Sequence, residues 1–138
     1  MIKKIHHVAV VLPDMEAGRL FWEEVLGLTL SHTARVEEQA VDVAFLPVGE
    51  SEIELLRPFT DDSGVAKYLA KKGPGLHHIC LEVLDIDAML TRLQNAGIQL
   101  IDNTPRLAKD GTKYAFVHPK ATGGVLVELY ETVADMPA

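Results

Sequence analysis

The 138-residue chain reads as an α+β fold: two tandem β-α-β-β-β modules that together form one curved mixed sheet. Three observations predict it. Two apolar runs, Ile5-His6-His7-Val8-Ala9-Val10-Val11 and Leu76-His77-His78-Ile79-Cys80-Leu81-Glu82, carry a histidine pair at the same place. Each run leads into an acidic residue, a helical stripe and a glycine stop. Each helix is then followed by three further β-like segments.

The elements follow in order. The first run is apolar with β-branched residues and reads as a strand. Pro13-Asp14 then opens a helix over residues 15–26, with Ala17, Leu20, Phe21 and Val25 at roughly helical spacing. Asp14 caps its start, and Gly27 ends it in the left-handed conformation. Strands follow at residues 28–35, 41–47 and 52–56. Residues 57–74 link the halves, with Ser63 as a cap and Val65, Tyr68 and Leu69 marking a short helix. After the second histidine run, Asp85 caps a helix over 86–96 whose stripe is Ile86, Met89, Leu90 and Leu93, closed by Gly97. Strands at 98–101, 114–118 and 125–130 complete the second half, with Gly111 and Gly123-Gly124 in the turns. Module 1 thus spans about 3–58, the linker helix about 62–73 and module 2 about 75–132, in a single domain.

Composition narrows the function. Hydrophobic residues make up 48%, enough to bury a core. The net charge of −7 argues against a nucleic-acid binder, which carries a basic face, although local basic clusters leave anionic small molecules open. Cys80 is the one cysteine, so neither an internal disulfide nor a cysteine zinc site forms. There is no signal-peptide pattern and no apolar run of membrane-spanning length, and the expectation is a cytoplasmic protein without membrane partners.

In both modules a carboxylate interrupts an apolar final strand: Glu54 in Ile53-Glu54-Leu55-Leu56 and Glu128 in Leu126-Val127-Glu128-Leu129. A carboxylate in a dry β-core needs a partner. His7 and His78, in the first strands, and Glu54 and Glu128, in the last, satisfy one another if a divalent ion sits between them. Two imidazoles and two carboxylates suit Zn, Co, Ni or Mn and leave positions for water or substrate. Alternation turns His6 and His77 to the opposite faces from His7 and His78, and periodicity does not choose between the members of each pair. Glu52 and Glu131 read as solvated, His118 as a loop residue near the site mouth, and His32 has no evident role.

These residues resemble the vicinal-oxygen-chelate, or glyoxalase-like, superfamily and, within it, the methylmalonyl-CoA epimerase family. The resemblance rests on Ile5-His6-His7-Val8-Ala9-Val10, Glu38-Gln39-Ala40-Val41, Ile53-Glu54-Leu55-Leu56-Arg57-Pro58, the segment from Ala66 through Gly73-Pro74-Gly75 to His78, His118-Pro119-Lys120, and Gly123-Gly124-Val125-Leu126-Val127-Glu128. It spans nearly the whole chain, and the linker before the second histidine pair is its most specific part. It implies one divalent metal (Co, Mn, Ni or Zn) held by His7, Glu54, His78 and Glu128, with Glu128 also a catalytic proton-transfer group. It further implies a small-molecule CoA thioester as substrate, epimerised through an enolate, and a homodimer. A second base that some family members carry falls at Val43 in an ungapped match, and the neighbouring Asp42 is turned to the other face. The alternatives are a glyoxalase I-type lyase, which the 66–78 segment disfavours, a metal-free binding protein on the same scaffold, and an aromatic-ring dioxygenase, which the extra carboxylate Glu54 disfavours.

Overall fold

The computed structural model describes residues 1–133, which fall into two compact units. One is His7–His77; the other joins Met1–His6 to the chain from His78 onward. Strand β1, Ile2–Val11, therefore contributes to both.

In the unit of residues 7–77, β1 is followed by helix α1, Met15–Arg19, which runs directly into a π-helical turn, Leu20–Val25. The helix expected over 15–26 is thus present but changes its pitch midway. The Asp14 carboxylate accepts the Ala17 N–H at 3.2 Å, and Gly27 turns out of the helix at φ 92°. Strands β2 (His32–Val36), β3 (Val41–Val48) and β4 (Ser51–Pro58) follow, in the spatial order β2-β3-β4-β1. β4 runs parallel to β1 and antiparallel to β3. The expected strand over 28–35 starts later, because Leu28 and Leu30 pack under α1 with Trp22 and Met15 instead of entering the sheet. Helix α2, Gly64–Lys72, is capped by Ser63, whose hydroxyl accepts the Ala66 N–H at 3.0 Å.

The other unit repeats the plan. Strand β5 (Gly75–Val83, of which residues 78–83 lie here) leads to helix α3 (Ile86–Asn95), then β6 (Arg106–Leu107), β7 (Lys113–Val117) and β8 (Val127–Glu131). The spatial order is β1-β5-β8-β7-β6, with β8 parallel to β5 and antiparallel to β7. One expectation is corrected: residues 98–101 do not form the second strand of this module. Leu100 makes a single bridge to Val117, and the chain then leaves through Asp102-Asn103-Thr104-Pro105. Proline has no N–H to extend a ladder, so pairing resumes only at Arg106. The Asp102 carboxylate takes over by accepting the Phe116 N–H at 2.9 Å.

Helices lie on defined faces. α1 and the chain after it cover Val10, Ala44, Leu46, Ile53 and Leu55. α2 covers the reverse side, where Val65, Tyr68 and Leu69 meet Ala9, Val11, Val41, Val43 and Leu56. In the other unit α3 packs Ile86, Met89 and Leu90 on Leu81, Val83, Ala115, Val117 and Leu129. No described helix is long and apolar enough to cross a membrane. Leu55 is fully buried beneath α1. Leu55→Ala should therefore cost roughly 2–5 kcal/mol, read as a lower urea midpoint at unchanged slope; a loss below half that lower bound would show that α1 does not close this core.

Candidate metal centre

Helix packing decides which side chains remain for chemistry. Ala9 and Val11 face α2, so His7, two residues earlier, shares their side of β1. On β4, Ile53 and Leu55 face α1 while Leu56 faces α2, which turns Glu54 to the same side as His7. The parallel register sets Ala9 opposite Glu54, and the His7 Nδ1 lies 2.9 Å from the Glu54 Oε2.

The second module builds the same pair. Leu81 and Val83 face α3, leaving His78 and Cys80 on the reverse of β5. Val127 and Leu129 also face α3, leaving Glu128 opposite. Cys80 is the register partner of Glu128, as Ala9 is of Glu54, and the His78 Nε2 lies 3.1 Å from the Glu128 Oε1. The antiparallel registers agree: Glu54 pairs with Phe45 and Glu128 with Phe116. Equivalent strand positions thus relate His7 to His78, Glu54 to Glu128 and Phe45 to Phe116. Strand pairing reproduces the duplication, and in each module it brings the expected histidine and carboxylate together.

Each pair is buried, with His7 3%, Glu54 9%, His78 5% and Glu128 3% exposed. Ionised carboxylates at this depth need a positive partner or protonation. The donor set of imidazole nitrogen and carboxylate oxygen is that of a borderline or hard divalent ion, so the residues present fit such an ion. Phe116 meets the His78 ring edge-on at 5.7 Å and fixes its plane. The sequence reading missed this aromatic partner, although Phe45 and Phe116 stand in the third strand of each module at equivalent places.

The remaining candidates separate from this pattern. Val43 is a core residue beneath α2 and has no ionisable group. Asp42 lies on the other face, bonded at 2.8 and 3.1 Å by Arg35 and approached at 3.5 Å by Arg57. The hydrogen bond from Arg35, with the charges of both arginines, holds the Asp42 carboxyl below the usual carboxylate range. The His6 ring lies against Tyr130 and the His77 ring against Tyr68. His32 stacks on Phe45 at 4.3 Å, which gives it a packing role the sequence did not show. His118 caps the turn Pro119–Ala121 by accepting the Lys120 N–H. Glu52 is half-buried rather than solvated. Glu131, also expected in solvent, accepts the Ile86 N–H at 2.9 Å at the start of α3, where a carboxylate is favoured. Glu82, a further buried carboxylate on the His78 side of β5, is paired with Lys3 at 3.1 Å.

Comparison with known proteins bears on this arrangement. Residues 6–116 match the model of the glyoxalase/bleomycin resistance protein/dioxygenase superfamily. The chain is 38% identical to the human mitochondrial methylmalonyl-CoA epimerase, over 91% of this chain and 72% of that one. It is 37% identical to an ethylmalonyl-CoA/methylmalonyl-CoA epimerase of Cereibacter sphaeroides, over 94% of this chain and 98% of that one. A solved methylmalonyl-CoA epimerase in complex with methylmalonyl-CoA and ammonium superposes with a TM-score of 0.90, 33% identity and full coverage of both chains.

Asp42 supplies a test of the face assignment. Because its folded pKa is depressed, its pairing contributes stability above the unfolded value and loses it as pH falls through the folded value. Arg35→Gln should therefore lower stability at neutral pH, with the difference vanishing in acid, and should move the Asp42 carboxyl upward in an NMR titration. An Asp42 resonance that titrates at the ordinary carboxylate value in the parent protein would contradict the assignment.

Proposed function

Because the chain belongs to the glyoxalase/bleomycin resistance protein/dioxygenase superfamily and, within it, to the methylmalonyl-CoA epimerases, we propose that it is a metal-dependent epimerase. It interconverts the (R) and (S) forms of methylmalonyl-CoA. The observation that carries the reading is the twofold occurrence of one buried histidine–carboxylate pair, His7 with Glu54 and His78 with Glu128. In this reading the four side chains hold one divalent ion per chain, of the Co, Mn, Ni or Zn type. The single cysteine supports a cytoplasmic setting, and the family resemblance supports a homodimer.

The substrate's α-hydrogen lies between a thioester and a carboxylate, so its removal gives an enolate. A divalent ion supplies Lewis-acid stabilisation of the negative charge that develops on oxygen. Glu128 is the proton-transfer group, a buried carboxylate beside an imidazole and shielded from bulk water. Phe116 holds the His78 plane, and so the position of its Glu128 neighbour. Val43 offers no second base at the place where some family members carry one.

Each turnover breaks the α-carbon–hydrogen bond. Substrate incubated in deuterated water should therefore gain deuterium at that carbon as it epimerises. Glu128→Gln should cut turnover by roughly two to four powers of ten, the usual scale for losing acid–base catalysis, while metal content measured by mass spectrometry is partly retained. His7→Ala should instead lower metal content, with activity returning in part in excess metal. Full activity in chelator-treated protein, or epimerisation with no solvent deuterium in the product, would sink the mechanism.

A further inference from the structure

We infer that Glu52 is a further oxygen donor to the ion that His7 and Glu54 hold, and that it biases the site toward hard ions of high coordination number, Mn over Zn. The inference rests on the metal reading above and adds to it a ligand that the four-residue set lacks.

Strand register singles Glu52 out. On β4 it lies two residues before Glu54 and four before Leu56, so alternation puts all three on the face that His7 shares. In the parallel pairing of β1 with β4 it stands directly opposite His7. The second module shows what the fold alone requires at this place. There Ile79 pairs with Val127 as Val8 pairs with Ile53, so the residue that answers to Glu52 is Leu126. The Ile79 N–H donates to the Leu126 carbonyl at 3.1 Å, in keeping with that register. Both positions are half-buried. A leucine meets the demands of packing in one module, and the other carries a carboxylate instead.

Its distances are those of a ligand. His7, Glu52 and Glu54 each offer a donor atom, and these atoms lie within 4.8 Å of one another. Two ligands of one ion stand at most about 4–5 Å apart, twice a metal–ligand bond. Two carboxylates this close, one buried and one half-buried, repel each other unless positive charge lies between them. A cross-strand contact with His7 is worth only about 0.2–1 kcal/mol, and it does not account for a second carboxylate beside Glu54. A third carboxylate in the donor set changes what the site selects. Oxygen-rich, six-coordinate surroundings suit Mn, whereas Zn is satisfied by four donors. Intrinsic affinity still rises from Mn to Zn. The effect of Glu52 therefore falls on the ratio of the two affinities.

The test is a titration of chelator-stripped protein with Mn and with Zn, each in competition with a chelating dye. Glu52→Leu, which copies the second module, should lose roughly ten- to hundredfold in Mn affinity and less than about threefold in Zn affinity, on the scale at which a metal's surroundings act. Glu52→Gln, which keeps the shape without the charge, should fall between parent and Glu52→Leu, and it carries the comparison if the leucine variant does not fold. Glu50→Gln, at the exposed turn of the same hairpin, should match the parent. Co-loaded parent protein should show the weak visible bands of a six-coordinate ion, and these should intensify in Glu52→Leu as the coordination number falls. A merely structural role would lower the thermal midpoint while leaving the Mn-to-Zn ratio and the Co spectrum unchanged, and that result overturns the inference. So does an equal loss for both ions. The two readings fail separately. A parent that binds no divalent ion, or that binds it as tightly after His7→Ala, removes the metal reading and this inference with it. Binding that depends on His7, with an unchanged ratio in both Glu52 variants, removes only the added ligand.

Discussion

Side chains alternate across a strand, so the residues committed to one packed face fix where the ionisable groups between them point, and that constraint governs both modules. Once Ile53 and Leu55 are committed to α1, Glu54 must point the other way. Once Val127 and Leu129 are committed to α3, so must Glu128. A one-residue slip of either strand would send the carboxylate under a helix and the leucine into the site, with a cost at both ends. The same apolar packing that supplies the stability therefore aims the polar groups, and the histidines follow from it. His7 is selected over His6 because it shares the side of Ala9 and Val11.

Most of this was legible in the sequence. The caps at Asp14, Ser63 and Asp85 stand where their chemistry placed them, because a side-chain acceptor for orphan N–H groups is a local matter. The duplicated histidine and glutamate positions were legible because a carboxylate inside an apolar strand is conspicuous. The choice within each histidine pair was not. Both faces of β1 and β5 are apolar, and only the helix positions break the tie. The bounds of β2 and β6 were missed for a similar reason. Leu28 and Leu30 are good strand formers claimed by the space under α1, and residues 98–101 are apolar enough for a strand but are followed by a turn that ends in Pro105.

The modules have diverged around a constant centre. Strand register keeps histidine, carboxylate and phenylalanine in equivalent places, while their neighbours have been free to change. Ala9 corresponds to Cys80, and Val43 to Tyr114. Each histidine uses a different ring nitrogen toward its carboxylate, Nδ1 in one module and Nε2 in the other. What has been held constant is thus the identity and depth of the groups, with latitude in how each ring is presented.

The shortness of β6 has a bearing on solubility. A sheet's last strand offers unpaired amides and carbonyls on which a foreign strand can assemble, the usual seed of fibrous aggregates. Here that strand is two residues long and preceded by proline, and a backbone amide that a longer neighbour would have used is held by the carboxylate of Asp102. The Arg106 guanidinium closes over the same carboxylate. Lengthening this loop into a regular strand, an intuitive route to a sturdier sheet, would supply the sticky border that this turn withholds.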